Sequence, residues 1–189
     1  HGKVMLVSVL VTGLLVSFCG KALAAQEGDY AYLITDGKAQ VTDYTGVSSE
    51  VSVPGSLGGA PVTSIGDYAF ADCQGLRSVV IPTGVTTIGK GAFSGCSSLT
   101  SIKIPTSVTS IGDYAFADCT SLTAITLPKN ASLMGEDTFK GCVNLTAISY
   151  ESAPKTIYDQ AFRRIVTAND GYSKIVATVT LPSRDKAED

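Results

Sequence analysis

The feature that most constrains this chain is an internal repeat. The twelve residues VTSIGDYAFADC start at Val62 and again at Val108, and a related copy, VTTIGKGAFSGC, starts midway between them at Val85. These starts define a 23-residue period. Two apolar series follow it without a gap: Ile65, Ile88, Ile111, Met134 and Ile157, and Phe70, Phe93, Phe116, Phe139 and Phe162. Strictly repeated apolar positions with variable polar positions between them predict stacked units around one continuous core.

Each unit predicts a strand, a turn and a return stretch. In residues 76–96, alternating apolar residues form a short strand that ends at Pro82, and the return stretch begins at Val85. The segment after it is too short for an α-helix, so we expect one helical or 3₁₀ turn. We predict a right-handed solenoid with one parallel sheet on its concave face. Its strands are expected at 77–81, 101–104, 124–127 and 147–150.

The repeated pattern LxxIxIPxxVxxIGxxAFxxC, between Val51 and Leu181, closely resembles the BspA-like class of leucine-rich repeats found in bacterial surface proteins. The resemblance implies an α/β, strand-rich leucine-rich-repeat solenoid. It also implies a secreted or surface-displayed protein that adheres to host or matrix proteins, or to other cells. The turn slot that holds Asn or Cys in the commonest leucine-rich repeat holds Gly84, Ser107 and Asn130 here, so an asparagine ladder is not expected.

The ends of the chain depart from the repeat. Residues 1–24 are interpreted as a secretory signal peptide, with a retained N-terminal anchor as the alternative. The apolar run in this segment is shorter than the roughly 18 residues that a transmembrane helix needs. We expect no membrane span in the mature chain. Residues 25–60 are predicted to form an N-terminal cap with a hairpin at Asp36-Gly37. Residues 61–182 hold the repeats, with eight residues inserted into an irregular last coil, and 183–189 are a charged tail.

Composition argues against several classes of function. After residue 24 the chain has 12 basic and 17 acidic residues and no clustered basic stretch, so nucleic acid is not an expected partner. The sequence has one histidine, His1, which removes the commonest general base from the predicted mature chain. Four aspartates recur with the coil and are interpreted as turn residues, not catalytic pairs: Asp67, Asp72, Asp113 and Asp118. We expect no enzyme, no cofactor and no metal site.

Four cysteines occupy one slot of the repeat: Cys73, Cys96, Cys119 and Cys142. Equivalent residues of stacked coils lie about 4.8 Å apart, near disulfide reach. Their side chains point in parallel, however, whereas a disulfide requires a crossed arrangement. No close Cys pair typical of a zinc site is present. We therefore predict a ladder of buried free thiols that pack as small apolar groups.

The outward side chains of the predicted strands form the candidate binding face. They are small or polar and include no aromatic ring, which favours a protein partner over a sugar. We predict a monomeric, secreted or cell-surface adhesion module with an extracellular protein partner. The alternative is a carbohydrate-binding or substrate-presenting accessory domain of a larger surface assembly, with a glycan partner. The predicted face consists of Arg77, Ser78, Val80, Thr100, Ser101, Lys103, Thr123, Ala124, Thr126, Thr146, Ala147 and Ser149.

Overall fold

The computed structural model describes residues 24–131 and 133–150, and the backbone of strand Thr178–Thr180. Several features of the sequence analysis lie outside this part of the chain. They are residues 1–23 of the predicted signal peptide, the inserted residues, Ile157, Phe162 and the charged tail. The strands described are β1 (Ala25–Glu27), β2 (Tyr30–Thr35), β3 (Lys38–Tyr44), β4 (Glu50–Ser52), β5 (Ser56–Leu57), β6 (Ala60–Ile65), β7 (Ser78–Val80), β8 (Thr87–Ile88), β9 (Ser101–Lys103), β10 (Ser110–Ile111), β11 (Ala124–Leu127), β12 (Leu133–Met134), β13 (Ala147–Tyr150) and β14 (Thr178–Thr180).

Each coil contributes a strand to two faces of a β-solenoid. The return stretches pair in parallel within a long sheet of order β1-β2-β3-β6-β8-β10-β12, and β5 pairs with β6. In this sheet Ile65 pairs with Ile88, which pairs with Ile111, so neighbouring strands are offset by one period of the repeat. The strands on the other face form two ladders, β4-β7-β9 and β11-β13-β14, which together we call the strand face. The stacked solenoid is thus confirmed, while its hand stays a prediction.

The prediction of one continuous sheet on the strand face is wrong. β7 pairs with β9 and β11 with β13, each in parallel and offset by one period, as predicted. No ladder joins β9 to β11. Upstream of these two strands Ser121 N donates to Ser97 O at 3.2 Å, and downstream of them β10 pairs with β12. Ile102 is only half-buried, although it packs against the core, whereas Val79 and Ile125 at the same slot are buried.

The expected helical turn is also absent from the residues that the structure describes. After β6, successive amides alternate between two kinds of acceptor. Ala71 N donates to Tyr68 O within the coil at 3.0 Å, while Phe70 N donates to the next coil, to Ala92 O, at 2.8 Å. A 3₁₀ helix needs consecutive bonds within the segment. Because every second amide bonds to the neighbouring coil, the segment forms a series of turns instead.

The core is a stack of aromatic rings. Phe70, Phe93, Phe116 and Phe139 are fully buried, and their successive ring centroids lie 5.1, 5.5 and 5.7 Å apart. Tyr44 extends this stack into the cap, 5.0 Å from Phe70. The leucine series that begins at Leu76 is buried beside it. The repeat therefore builds one core that passes through every described coil.

Three antiparallel hairpins shape the N-terminal end, and the first joins β1 to β2 through Gly28-Asp29. The predicted hairpin is confirmed, because Thr35 pairs with Lys38 across Asp36-Gly37, whose φ angles are 51° and 71°. Its second strand, β3, continues in parallel pairing with β6, which joins the cap to the repeats. The stretch GSLGGAP forms a third hairpin, β5–β6, around Gly58-Gly59.

The last strand supports the predicted insertion. β14 pairs in parallel with β13, with Ala147 opposite Thr178. The offset between these two partners equals one period of the repeat plus the eight inserted residues. The repeat therefore resumes after the insertion, as the sequence predicted.

Candidate partner-binding surface

All twelve predicted site residues lie on the strand face or at its entry, and none is buried. Ser78 and Ser149 are half-buried, and the other ten are exposed. The alternation of the strands explains this placement, because Val79 and Ile125 point into the core and their neighbours point out. The division between β9 and β11 places Val80 and Lys103 in one ladder, with Thr126 in the other.

Several hydroxyls on the strand face already bond to a neighbouring coil. Thr100 Oγ1 donates to Arg77 O at 3.1 Å, and Thr146 Oγ1 donates to Thr123 O at 3.2 Å. The hydroxyls of Thr126 and Ser149 lie 3.0 Å apart. These groups hold adjacent coils in register, a role that sequence reasoning missed. Side chains that are small, or whose hydroxyl bonds to a neighbouring coil, project little from the strands. The surface between the longer side chains is therefore shallow.

The strand face also presents two long cationic side chains, Arg77 and Lys103, and one exposed apolar side chain, Val80. Val80 is 47% exposed, which is unusual among the described large apolar residues. Both cations are exposed, and the acidic Glu50 of β4 lies on the same ladder, opposite Ser78. The arrangement offers an apolar contact beside two cationic groups, which suits an acidic surface of a protein.

The turn edge, which we define as residues 66–73 and their equivalents in the following coils, uses its aspartates structurally. Asp67 Oδ1 accepts a hydrogen bond from Lys90 N at 2.8 Å, and Asp113 Oδ1 accepts one from Glu136 N at 2.8 Å. Each carboxylate therefore satisfies an amide of the next coil. The interpretation of these two residues as merely solvated turn residues was incomplete, because they join the coils.

Two positions of the turn edge have positive φ in each described coil. The first is Tyr68, Gly91, Tyr114 and Asp137, with φ of 57°, 57°, 56° and 52°; the second is Asp72, Gly95, Asp118 and Gly141, with φ of 58°, 74°, 57° and 72°. A Cβ added at Gly91 would clash with the Tyr68 ring, and one added at Gly95 would clash with Asp72 Oδ1. A large residue thus lies over a glycine of the following coil.

The cysteine ladder is present, and none of the four thiols in the described chain is bridged. Sγ of Cys96, Cys119 and Cys142 donates to a phenylalanine carbonyl of the preceding coil, at 3.1, 3.2 and 3.0 Å. Cys73 is only half-buried, which corrects the prediction of four buried thiols.

Burial keeps the Cys96 thiol protonated. It raises the pKa of Cys96 to about 12, from 9.0. The pKa of Cys119 is also raised, first by its hydrogen bond with Cys142 and then by burial. A protonated, buried thiol is neither a good nucleophile nor a metal ligand, so the ladder is structural.

A groove of about 440 Å³ separates the cap from the first coil. It is lined by Tyr44, Val47 and Cys73, among others, and Val47 is 98% exposed. The pKa of the neighbouring Tyr30 is raised to about 12, chiefly by burial and then by Tyr44. The sequence did not predict this groove, because the step from Tyr44 to Phe70 is longer than one period and places Tyr44 outside the repeated series.

Neither a metal cluster nor a membrane-spanning helix is found among the described residues. No group of three or more metal-ligating side chains in this part of the chain lies close enough together to hold an ion. Among the same residues, no helix has the length and apolar character needed to cross a membrane.

Comparisons with known proteins agree with the architecture. A leucine-rich repeat protein from Bacteroides capillosus is 29% identical, with a TM-score of 0.60 over 68% of this chain and 99% of that one. The T. pallidum leucine-rich repeat protein TpLRR is 26% identical, with a TM-score of 0.58 over 67% of this chain and 71% of that one. The pneumococcal vaccine antigen PcpA, 21% identical, shares the fold, with a TM-score of 0.56 over 67% of this chain and 32% of that one. No curated protein matches the chain.

The family model that matches this chain describes the repeated unit itself. Residues 52–168 match the BspA type leucine rich repeat region in 6 copies. The matched range covers more than half of the sequence and includes every complete coil described above. The chain therefore belongs to the BspA type leucine-rich repeat family.

Proposed function

We propose that this protein is a secreted or cell-surface recognition module that binds another extracellular protein through its strand face. The observation that carries the proposal is the exposed Val80, on a surface that also presents Arg77 and Lys103 above small side chains. Arginine is enriched in the energetic centres of protein interfaces, and an apolar side chain beside it gains from being desolvated. Repeat solenoids also offer the extended surfaces that such contacts need.

The chemistry of the strand face favours an acidic region of the partner. Arg77 and Lys103 are exposed, and Glu50 is the acidic residue on the same ladder. Complementary charge would raise the rate of encounter and select against basic partners. A matrix protein or a cell-surface protein with an acidic patch is the partner class that we propose.

An extracellular location is part of the proposal. It is supported by the apolar run and small residues at positions 1–24, which are typical of a secretory signal. It is also consistent with the resemblance to bacterial surface proteins that the repeat pattern carries.

The carbohydrate-binding alternative is less well supported. Sugars are commonly bound by stacking on exposed aromatic rings, and the outward positions of β7, β9, β11 and β13 include none. A glycan array run beside the protein-binding assay would test it. Binding to glycans together with no binding to proteins would reverse the order of the two hypotheses.

The proposal is tested by blocking the strand face. Partners are first captured on a panel of extracellular-matrix and cell-surface proteins, and affinity is then measured by surface plasmon resonance. Thr123→Glu with Thr126→Glu places two charges at the centre of the face and should lower affinity at least about tenfold, because it disrupts the centre of an interface and repels an acidic partner.

The matched control places the same substitutions on the opposite side. Thr86→Glu with Thr109→Glu changes two exposed threonines beside the return strands β8 and β10, whose hydroxyls make comparable bonds to a preceding coil. This pair should bind the partner as the unmodified protein does. Loss of binding in the control pair, with binding kept in the strand-face pair, would show that the proposal chose the wrong side.

A further inference from the structure

The two identical twelve-residue copies allow an internal comparison of two tyrosines. Tyr68 and Tyr114 occupy the same slot, and their φ angles are 57° and 56°. Tyr68 lies between Asp67 and Asp72 in its turn, and Tyr114 lies in the same way between Asp113 and Asp118. The two rings are therefore presented on matching backbones with matching acidic neighbours.

The two tyrosines differ in what stands over the ring. The ammonium Nζ of Lys140 lies 5.5 Å from the centroid of the Tyr114 ring. This separation is within the range in which the quadrupole of an aromatic ring attracts a cation. Ser94 holds the same position along the chain relative to Tyr68 as Lys140 holds relative to Tyr114. A serine is too short to place a charge over the ring.

The exposure of the rings follows this difference. Tyr68 is 52% exposed, whereas Tyr114 is half-buried. The Tyr68 ring packs on one side against Gly91 of the next coil. A large exposed aromatic ring beside two exposed carboxylates, Asp67 and Asp72, is therefore left at the turn edge.

Lys90 follows Tyr68 in the next coil, but its ammonium does not take the position over the ring that Lys140 takes at Tyr114. Its carbonyl accepts from Tyr68 N at 2.8 Å, and its amide donates to Asp67 Oδ1 at 2.8 Å. Among the residues that the structure describes, the contact between an ammonium and a ring is the one at Tyr114. The backbone of Lys90 thus supports the turn while its side chain leaves the ring uncovered.

We propose that Tyr68, with Asp67 and Asp72, is a second contact surface that takes a lysine or arginine side chain of a protein partner. The chain itself demonstrates the mode of binding, because Lys140 occupies the equivalent place at Tyr114. The carboxylates supply charge complementarity for the cation. This surface is separate from the strand face, so either proposal can fail while the other stands.

The test exchanges Ser94 and Lys140, which occupy the same position relative to Tyr68 and Tyr114. Ser94 and Lys140 have matched backbones, since the carbonyl of Ser94 accepts from Asp72 N at 2.8 Å and that of Lys140 accepts from Asp118 N at 2.6 Å. Ser94→Lys should place an internal ammonium over Tyr68, and Lys140→Ser should uncover Tyr114. Tyr68→Gly removes the ring and puts there the residue that adopts the same φ in the next coil, Gly91.

The probe is an acetylated, amidated tetralysine peptide, titrated into the full-length protein and followed through the tyrosine ring resonances by NMR. In the unmodified protein the Tyr68 resonances, assigned with Tyr68→Gly, should shift more than those of Tyr114. Ser94→Lys should weaken the response at Tyr68 by about two- to fivefold in affinity, the value of one exposed cation–ring contact. Lys140→Ser should produce a new response at Tyr114.

A tetraglutamate peptide serves as the control of opposite charge and should shift neither ring. Equal shifts of Tyr68 and Tyr114 in the unmodified protein would overturn the proposal, because the carboxylates alone would then explain binding. An unchanged response at Tyr68 in Ser94→Lys, or no response to tetralysine at all, would overturn it as well.

Discussion

Truncating the middle ring of the aromatic stack, by Phe116→Ala, tests whether the coils share one core. Phe116 is fully buried, and its ring centroid lies 5.5 Å from that of Phe93 and 5.7 Å from that of Phe139. Truncation of a buried Phe costs about 3–5 kcal/mol. Each stacked pair contributes about 0.5–1.5 kcal/mol beyond buried area, and Phe116 loses two such pairs, which places the expected loss at the upper end of that range.

The assay is urea unfolding followed by circular dichroism, with thermal unfolding beside it. A loss of this size corresponds to a fall in the melting temperature of about 6–20 °C for a protein of this length. Tyr30→Ala is the control at the end of the stack, because the ring of Tyr30 has one described ring neighbour, Tyr44, in a tilted arrangement, and is only half-buried. The end variant should lose clearly less stability than the middle one.

Equal losses for Phe116→Ala and Tyr30→Ala, or a loss below about 1.5 kcal/mol at Phe116, would refute a continuous core on the scale of measured Phe truncations. The same reasoning predicts a smaller loss for Phe162→Ala than for Phe116→Ala. Phe162 lies outside the described residues, so this comparison tests the expected last coil.

Three further predictions concern the thiol ladder and the turn edge. The free energy of unfolding should fall as pH rises from 9 towards 12, because the Cys96 thiol, with a folded pKa of about 12 and a reference pKa of 9.0, ionises first in the unfolded chain. Thermal melts of Cys96→Ala over the same pH range should fall less steeply, and identical slopes would exclude this cause. Thiol titration of the mature chain without reductant should detect four groups in denaturant and chiefly Cys73 in the native state, whereas no reactive group in denaturant would indicate disulfides. Gly95→Ala, at φ 74° and with Asp72 Oδ1 against the added Cβ, should lose at least about 1–2 kcal/mol in urea unfolding, while Gly75→Ala, where nothing lies within 4 Å of the added Cβ, should be nearly neutral. Similar losses at both glycines would contradict the requirement for glycine at position 95.

Much of the fold follows from the 23-residue period, because the period identifies which residues are equivalent and apolar ones must meet in the core. It correctly predicted the burial of Ile65, Phe70 and the other members of their series that the structure describes, and the pairing of strands one period apart. The insertion was predicted for the same reason, since Thr178 resumes the pattern opposite Ala147.

The bonds between coils could not be predicted from the period alone. It does not reveal that Asp67 accepts a hydrogen bond from an amide of the next coil, or that no ladder joins β9 to β11. A non-glycine residue at positive φ is uncommon, so Tyr68 was not expected to adopt that conformation. The alternation of Tyr68 with Gly91 was a signal in the sequence, because glycine marks a slot where positive φ is needed.

The candidate site was predicted as a set of outward positions, and the structure exposes or half-exposes each of them. Which of them are free for a partner was not predictable. The hydroxyl of Thr100 is directed to Arg77 O, and that depends on the distance between coils. The structure therefore moves the emphasis from the threonines to Val80 and Lys103.

The most direct test of the proposed strand-face interface is a lysine-labelling footprint of the complex with a captured partner. Lys103 lies on the strand face, while Lys38 on the hairpin and Lys129 in a turn are exposed elsewhere and serve as internal controls. Acetylation rates are measured by mass spectrometry with and without the partner. We expect Lys103 to be protected in the complex while Lys38 and Lys129 react at unchanged rates. An unprotected Lys103, with protection at Lys38 or Lys129, would contradict the assignment of the binding face.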